Sequence, residues 1–145
     1  MSNAVLVRGR ACALQCLAPL VLLALGAPAL AAPDIEADED HVYYGDPDLA
    51  EKPGVISANT VFLEIPAYKR IVDEKIPKDD PRYWLLMEEA NRIFMAALRA
   101  TDRNHGYDLI GELGSIKVDG KPAPDITSTV VEEVRKIVRN GADGK

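Results

Sequence analysis

Few side chains in this sequence have the type and spacing that chemistry requires. His105 sits in Asn104-His105-Gly106, with no cysteine or second histidine near it in sequence to complete a nucleophile pair or a zinc set. A capping or solvent role at the end of a helix suits it, because a charged imidazole there interacts well with the helix dipole. Ser57, Ser115 and Ser128 lie outside any G-x-S-x-G elbow. Gly111-Glu112-Leu113-Gly114 lacks the Lys-Ser/Thr helix start that a phosphate loop needs. Asp38, Asp40 and His41 are close together, but their spacing matches no calcium loop. The adjacent pairs Glu88-Glu89 and Glu132-Glu133 fall on helical stretches, where neighbours do not face one another, so they read as solvated faces. Asp108 and Asp125 each open an element and read as turn and cap residues. This inventory offers no catalytic residue, no cofactor-binding residue and no metal ligand, and points away from an enzyme.

The elements that hold these residues are legible from periodicity and punctuation. Val55-Ile56-Ser57-Ala58 reads as a short strand. Val61, Ile65, Tyr68 and Val72 recur at helical spacing, predicting a helix from Asn59 to Lys75 capped by Ser57 or Asn59. Pro66 inside it must kink it or divide it in two. A strand reaching residue 65 is the alternative for its first part. Asp80-Pro81 then opens a long helix of about 24 residues, roughly 36 Å. Tyr83, Met87, Ala90, Phe94, Ala97 and Thr101 form its stripe, widened by Leu86, Ile93 and Ala100, and Gly106 ends it. Tyr107 to Ile110 and Ile116 to Val118 read as strands, and Asp119-Gly120 as a tight turn. A last helix, capped by Asp125 or Thr127, buries Ile126, Val130, Val134, Ile137 and Val138 and ends at Asn140-Gly141. The order predicts an α+β fold: a small β-sheet with a long amphipathic helix and flanking helices.

Charge divides the chain further. Of the net −6, residues 1–31 contribute +2, residues 32–51 contribute −8 and residues 52–145 contribute 0. Residues 1–31 have the form of a secretory signal peptide. Arg8 and Arg10 precede an apolar run of about 16 residues, short of the ~20 that span a bilayer. Ala29-Leu30-Ala31 supplies an A-x-A cleavage site. Gln15 before Cys16 is wrong for a lipobox. Both cysteines, Cys12 and Cys16, fall within this leader, so the exported chain would have no disulfide and no Cys-ligated zinc. Residues 32–54, acidic and rich in proline, predict a flexible tail, with His41-Val42-Tyr43-Tyr44 as a patch able to dock on the domain. Residues 55–140 form the domain, and 141–145 a disordered C-terminus. Without a Lys/Arg cluster, an acidic chain is a poor nucleic-acid binder.

The order of several short segments resembles the OmpH/Skp family of periplasmic chaperones. The stretch from Val55 to Lys69, with its Glu64-Ile65-Pro66-Ala67-Tyr68 core, is similar to that family's opening strand and helix. Gly106-Tyr107-Asp108-Leu109-Ile110 is similar to the strand after its returning helix, and Ser115-Ile116-Lys117-Val118 to the next strand. Pro124-Asp125-Ile126-Thr127, then Val130-Val131-Glu132-Glu133-Val134, resembles its Asp-Ile-Thr and closing helix. The resemblance covers residues 55–138 and implies a Skp-like head that self-associates, as a trimer in the family. It implies a periplasmic, non-enzymatic protein binding unfolded or outer-membrane proteins, with no small-molecule substrate and no cofactor. A structural or adaptor protein of the cell envelope is the alternative. Two departures stand out. Only Lys75 to Asp80 separates the helices where the family carries long coiled-coil arms, and the domain is neutral where the best-known member is strongly basic.

Overall fold

The computed structural model describes residues 33–142. The expected signal peptide lies outside the described residues. So do residues 143–145 of the expected C-terminal tail.

The first strand, β1 (Ile35–Ala37), and the second, β2 (Val42–Tyr44), are joined by a 3-10 turn over Glu39–His41. Next come β3 (Pro53–Ile56), α1 (Ala58–Leu63), α2 (Pro66–Asp73) and α3 (Pro81–His105). Then follow β4 (Leu109–Glu112), β5 (Ile116–Val118), β6 (Lys121–Pro122) and α4 (Thr127–Ala142). The fold is α+β, as the order of apolar patterns predicts.

The strands form two three-stranded sheets, ordered β2-β4-β3 and β1-β5-β6. β3 runs parallel to β4, with Gly54 beside Ile110 and Val55 beside Gly111. A parallel pair needs a long crossover, and α1, α2 and α3 provide it. The outer edge of β3 is covered: Val55 N–H donates to the Pro124 carbonyl and Ile126 N–H to the Val55 carbonyl, at 2.9 and 2.8 Å. Gly54 permits this closeness, because a Cβ there would lie 2.6 Å from Ile126 Cδ1.

The acidic segment is not a flexible tail. β1 pairs antiparallel with β5, Ile35 beside Val118 and Ala37 beside Ile116. β2 pairs antiparallel with β4, Val42 beside Gly111 and Tyr44 beside Ile110. Composition points to disorder because the segment carries eight acids, three prolines and few aliphatic residues. All eight stay exposed, however, while Ile35, Ala37, Val42, Tyr43 and Tyr44 are half-buried. Backbone pairing to strands already in place supplies the ordering that composition lacked.

Local chemistry sets the helix ends. Pro66 divides the first predicted helix: its ring cannot follow an α-helical turn carrying the Phe62 carbonyl, so Ile65 takes an extended conformation and Pro66 starts α2. α2 closes with Lys75 at φ 51° and Ile76 N–H donating to the Ile71 carbonyl, a Schellman-type stop without glycine. Asp80 caps α3, its carboxylate accepting from Arg82 N–H at 2.8 Å, and Gly106 ends it at φ 71°. Asp119 and Gly120, at φ 50° and 72°, make the two-residue turn between β5 and β6. The strand expected over 107–110 is displaced to 109–112, because Tyr107 and Asp108 are used in the turn after α3. α4 continues through Gly141 and Ala142, so the disorder expected from 141 does not begin there.

The main core lies between the β2-β4-β3 sheet and the helices, where Ile56, Val61, Ile65, Leu98, Ile110 and Val134 are fully buried. Each such side chain contributes roughly 1.5–3 kcal/mol on removal from water. Phe94 is central: Phe62 stacks on it at 4.7 Å and Tyr43 meets it edge-on at 5.6 Å. A second, smaller core holds Val55, Leu109, Ile116 and Ala123 under β1.

Candidate interaction surface

α2 and α3 form a short helical hairpin, and its turn brings the first two turns of α3 to the free end. Trp84 and Leu85 stand there, 63% and 67% exposed, with Val72 of α2 also exposed. Neither Trp84 nor Leu85 belongs to the stripe of Tyr83, Met87, Ala90 and Phe94 that turns toward the core, so the periodicity of α3 itself directs them outward. The Tyr83 ring meets the Trp84 indole edge-on, with ring centres 5.2 Å apart. At the same end the Arg82 guanidinium grips the Asp80 carboxylate at 2.7 Å, which holds that carboxyl below its usual range.

Further along α3 a groove of about 450 Å³ opens between α3, α4 and the start of α2. Ile93, Ala96, Ile137, Val138 and Pro66 line it, and Glu89 and Arg92 stand at its mouth. Glu89 and Arg92 also border a shallower depression beside Leu85, so the exposed leucine and the groove belong to one continuous surface.

The polar residues singled out by type mostly build structure. Ser57 caps α1, accepting from Thr60 N–H, while its own N–H donates to Thr127 Oγ1 at 3.0 Å. Ser115 Oγ donates to the Glu112 carbonyl at 2.8 Å. Ser128 is exposed on the first turn of α4. Asp125 Oδ1 accepts from the Thr127 hydroxyl and N–H at 2.6 and 2.9 Å, and these bonds lower its pKa. Asp108 accepts from the N–H groups of Glu51 and Lys52 at 2.8 and 2.9 Å, tying the segment before β3 to the segment before β4. Lys52 completes the tie, its ammonium 4.4 Å from the Tyr107 ring centre and bonded to the His105 carbonyl. Asp38 and His41 form an exposed pair at 3.0 Å, and no three His, Cys, Asp or Glu side chains converge among the described residues.

Glu133 departs from expectation. Glu88, Glu89 and Glu132 are exposed, but Glu133 is only 2% exposed. It lies where α4 crosses the end of α3, and its carboxylate meets Lys136 Nζ at 2.7 Å, Asn104 Nδ2 at 3.1 Å and His105 Nε2 at 3.3 Å. The bond from Lys136 lowers its pKa most, against burial, and His105 and Asn104 add to the lowering. His105 is therefore neither a free cap nor simply solvated. It pins α3 to α4. Its separation from Glu133 by 28 residues hides this in the sequence.

Reactive residue types do not mark the exposed surface at the hairpin end either. Its signal was present: two large apolar residues adjacent to, but off, the buried stripe of α3. The chain matches no family model, no curated protein and no solved structure. Among the described residues, no helix is long and apolar enough to cross a membrane.

Proposed function

We propose that this chain is an exported, non-enzymatic protein related to the OmpH/Skp head, and that it binds unfolded or outer-membrane proteins in the periplasm. The observation carrying this reading is the pair Trp84 and Leu85, about two-thirds exposed at the free end of a two-helix hairpin. Large apolar side chains exposed at the same end of a hairpin are unfavourable in water and fit a surface that meets other apolar chains. The order of elements from β3 to α4 agrees with the order the resemblance implies. The short α2–α3 connection leaves the hairpin as a stub of the family's arms.

Suppression of aggregation of an unfolded outer-membrane protein tests the reading. The chain in molar excess should suppress light scattering, and Trp84→Ala combined with Leu85→Ala should remove most of that effect. No suppression by the unmodified chain at several-fold excess overturns it.

A second reading, an envelope adaptor without holding activity, is favoured by the acidic ribbon. All eight carboxylates between Asp34 and Glu51 are exposed on an ordered segment, which suits a basic protein partner. Deleting the segment would remove two strands, so the suitable variant neutralises Glu39, Asp40, Asp46 and Asp48. Loss of partner recovery in pulldowns with that variant supports the adaptor, and unchanged recovery removes the ribbon from the account.

A further inference from the structure

We infer that a second copy of this chain docks on the outer stripe of α3, the two α3 helices lying antiparallel about a two-fold axis between positions 90 and 91. Leu85, Glu89, Arg92 and Ala96 follow one another at steps of four, three and four, which places them within an arc of about 60° on a helix of 3.6 residues per turn. Leu85, Glu89 and Arg92 are exposed and Ala96 is half-buried. The stripe is self-complementary when reversed. The two-fold sets Glu89 opposite the partner's Arg92 and, by the same symmetry, Arg92 opposite the partner's Glu89. It also sets Leu85 opposite the partner's Ala96, a large side chain over a small one. Ala96 forms part of the apolar groove with Ile93, Ile137 and Val138, so the incoming leucine meets an opening of about 450 Å³.

Other arrangements of the same stripe are poorer. A parallel, in-register pair sets Glu89 on Glu89 and Arg92 on Arg92. Sliding the antiparallel pair by one turn one way brings Glu89 against Glu88, and the other way carries it over Ala96, away from Arg92. Charge complementarity thus selects one orientation and one register. Trp84 lies about 100° around the helix from Leu85 and stays outside the seam. Pairing of copies does not rest on the client-binding reading, and its two-fold symmetry differs from the three-fold association that the resemblance implies; Leu85 serves both surfaces, so Trp84→Ala is the variant that separates them.

Sedimentation equilibrium of the purified chain from micromolar to millimolar concentration tests the inference. The expected result is a monomer–dimer equilibrium that weakens with added salt. Glu89→Arg and Arg92→Glu, each alone, should weaken dimerisation by about tenfold or more, since each creates two like-charge oppositions. The double reversal Glu89→Arg with Arg92→Glu should restore it. Far-UV circular dichroism should be unchanged throughout, because both positions are exposed. Trp84→Ala should leave the mass unchanged whatever it does to client holding. A monomer at millimolar concentration, an assembly other than a dimer, single reversals without effect, or failure of the double reversal to restore pairing would each overturn the inference.

Discussion

The Tyr43 hydroxyl donates to Glu112 Oε2 at 2.7 Å, joining β2 to the end of β4 across 69 positions of sequence. The same oxygen accepts from Ala58 N–H at 3.1 Å, so one carboxylate ties the acidic ribbon and the start of α1 to the central strand. The Tyr43 ring, edge-on to Phe94, completes the attachment of the ribbon to the main core.

Removing the hydroxyl alone should be mild. Tyr43→Phe is expected to cost about 1 kcal/mol, because Glu112 keeps its bond from Ala58. Tyr43→Ala also strips the ring from Phe94 and should cost about 3 kcal/mol or more. Urea denaturation followed by circular dichroism checks both values. Equal costs would mean that the ring contributes nothing.

Burial, then the bond to Glu112, pushes the Tyr43 phenol up to about 12. The folded state therefore holds this proton more tightly than the unfolded chain, whose tyrosines ionise near 10. Its stabilising contribution is complete below pH 10 and is lost as pH rises through about 12. In an absorbance titration one tyrosine should ionise near 12, and that late step should vanish in Tyr43→Phe.

Glu133 has the opposite sign. Its pKa is lowered on folding, chiefly by Lys136, so its contribution is present above the ordinary carboxylate value of 4.5 and is lost as pH falls through the folded pKa. Glu133→Ala should cost about 1–2 kcal/mol at pH 7, since Lys136 and His105 are exposed enough to rehydrate while Asn104 loses its acceptor. The difference from the unmodified chain should shrink in unfolding curves recorded at pH 3. A cost independent of pH would show that shape, not charge, is what Glu133 supplies.

Gly45 stands at φ +94°, and a Cβ there would collide with the Asp108 carbonyl and approach Leu109 Cα at 2.9 Å. Gly45→Ala should therefore cost about 2 kcal/mol or more, from both strain and backbone clash. Gly114, also at positive φ, has open space around it, so Gly114→Ala should cost only the conformational strain, about 1 kcal/mol. Comparing the two midpoints of thermal unfolding separates clash from strain.

Asp108→Ala should loosen the ribbon locally. It removes the acceptors of the Glu51 and Lys52 N–H groups, and amide hydrogen exchange at those two positions should accelerate several-fold with little change at Leu98 or Ile110. Uniform acceleration across the core would assign Asp108 a global role instead.

The sequence by itself determined the elements whose causes are local. Asp80-Pro81 starts α3 and Gly106 stops it. The alternation of fours and threes through Tyr83, Met87, Ala90 and Phe94 sets its buried face. Pro66 splits the preceding helix, and Asp119-Gly120 turns the hairpin. Caps, proline rings and left-handed positions act within a few residues, so their outcome is written in a few residues. Only the tertiary structure decided the rest. The acidic segment became β1 and β2 because β4 and β5 offered unpaired backbone, a condition created more than 65 residues away. Glu133 was buried, while its neighbour Glu132 stayed in water, because α4 crosses α3 at Asn104 and His105. Periodicity turns Trp84 and Leu85 off the buried stripe, and the packed chain leaves them exposed because no other described element reaches that end of the hairpin. For the acidic segment and for Glu133 the deciding neighbour is distant in sequence, and only the packed chain brings it near.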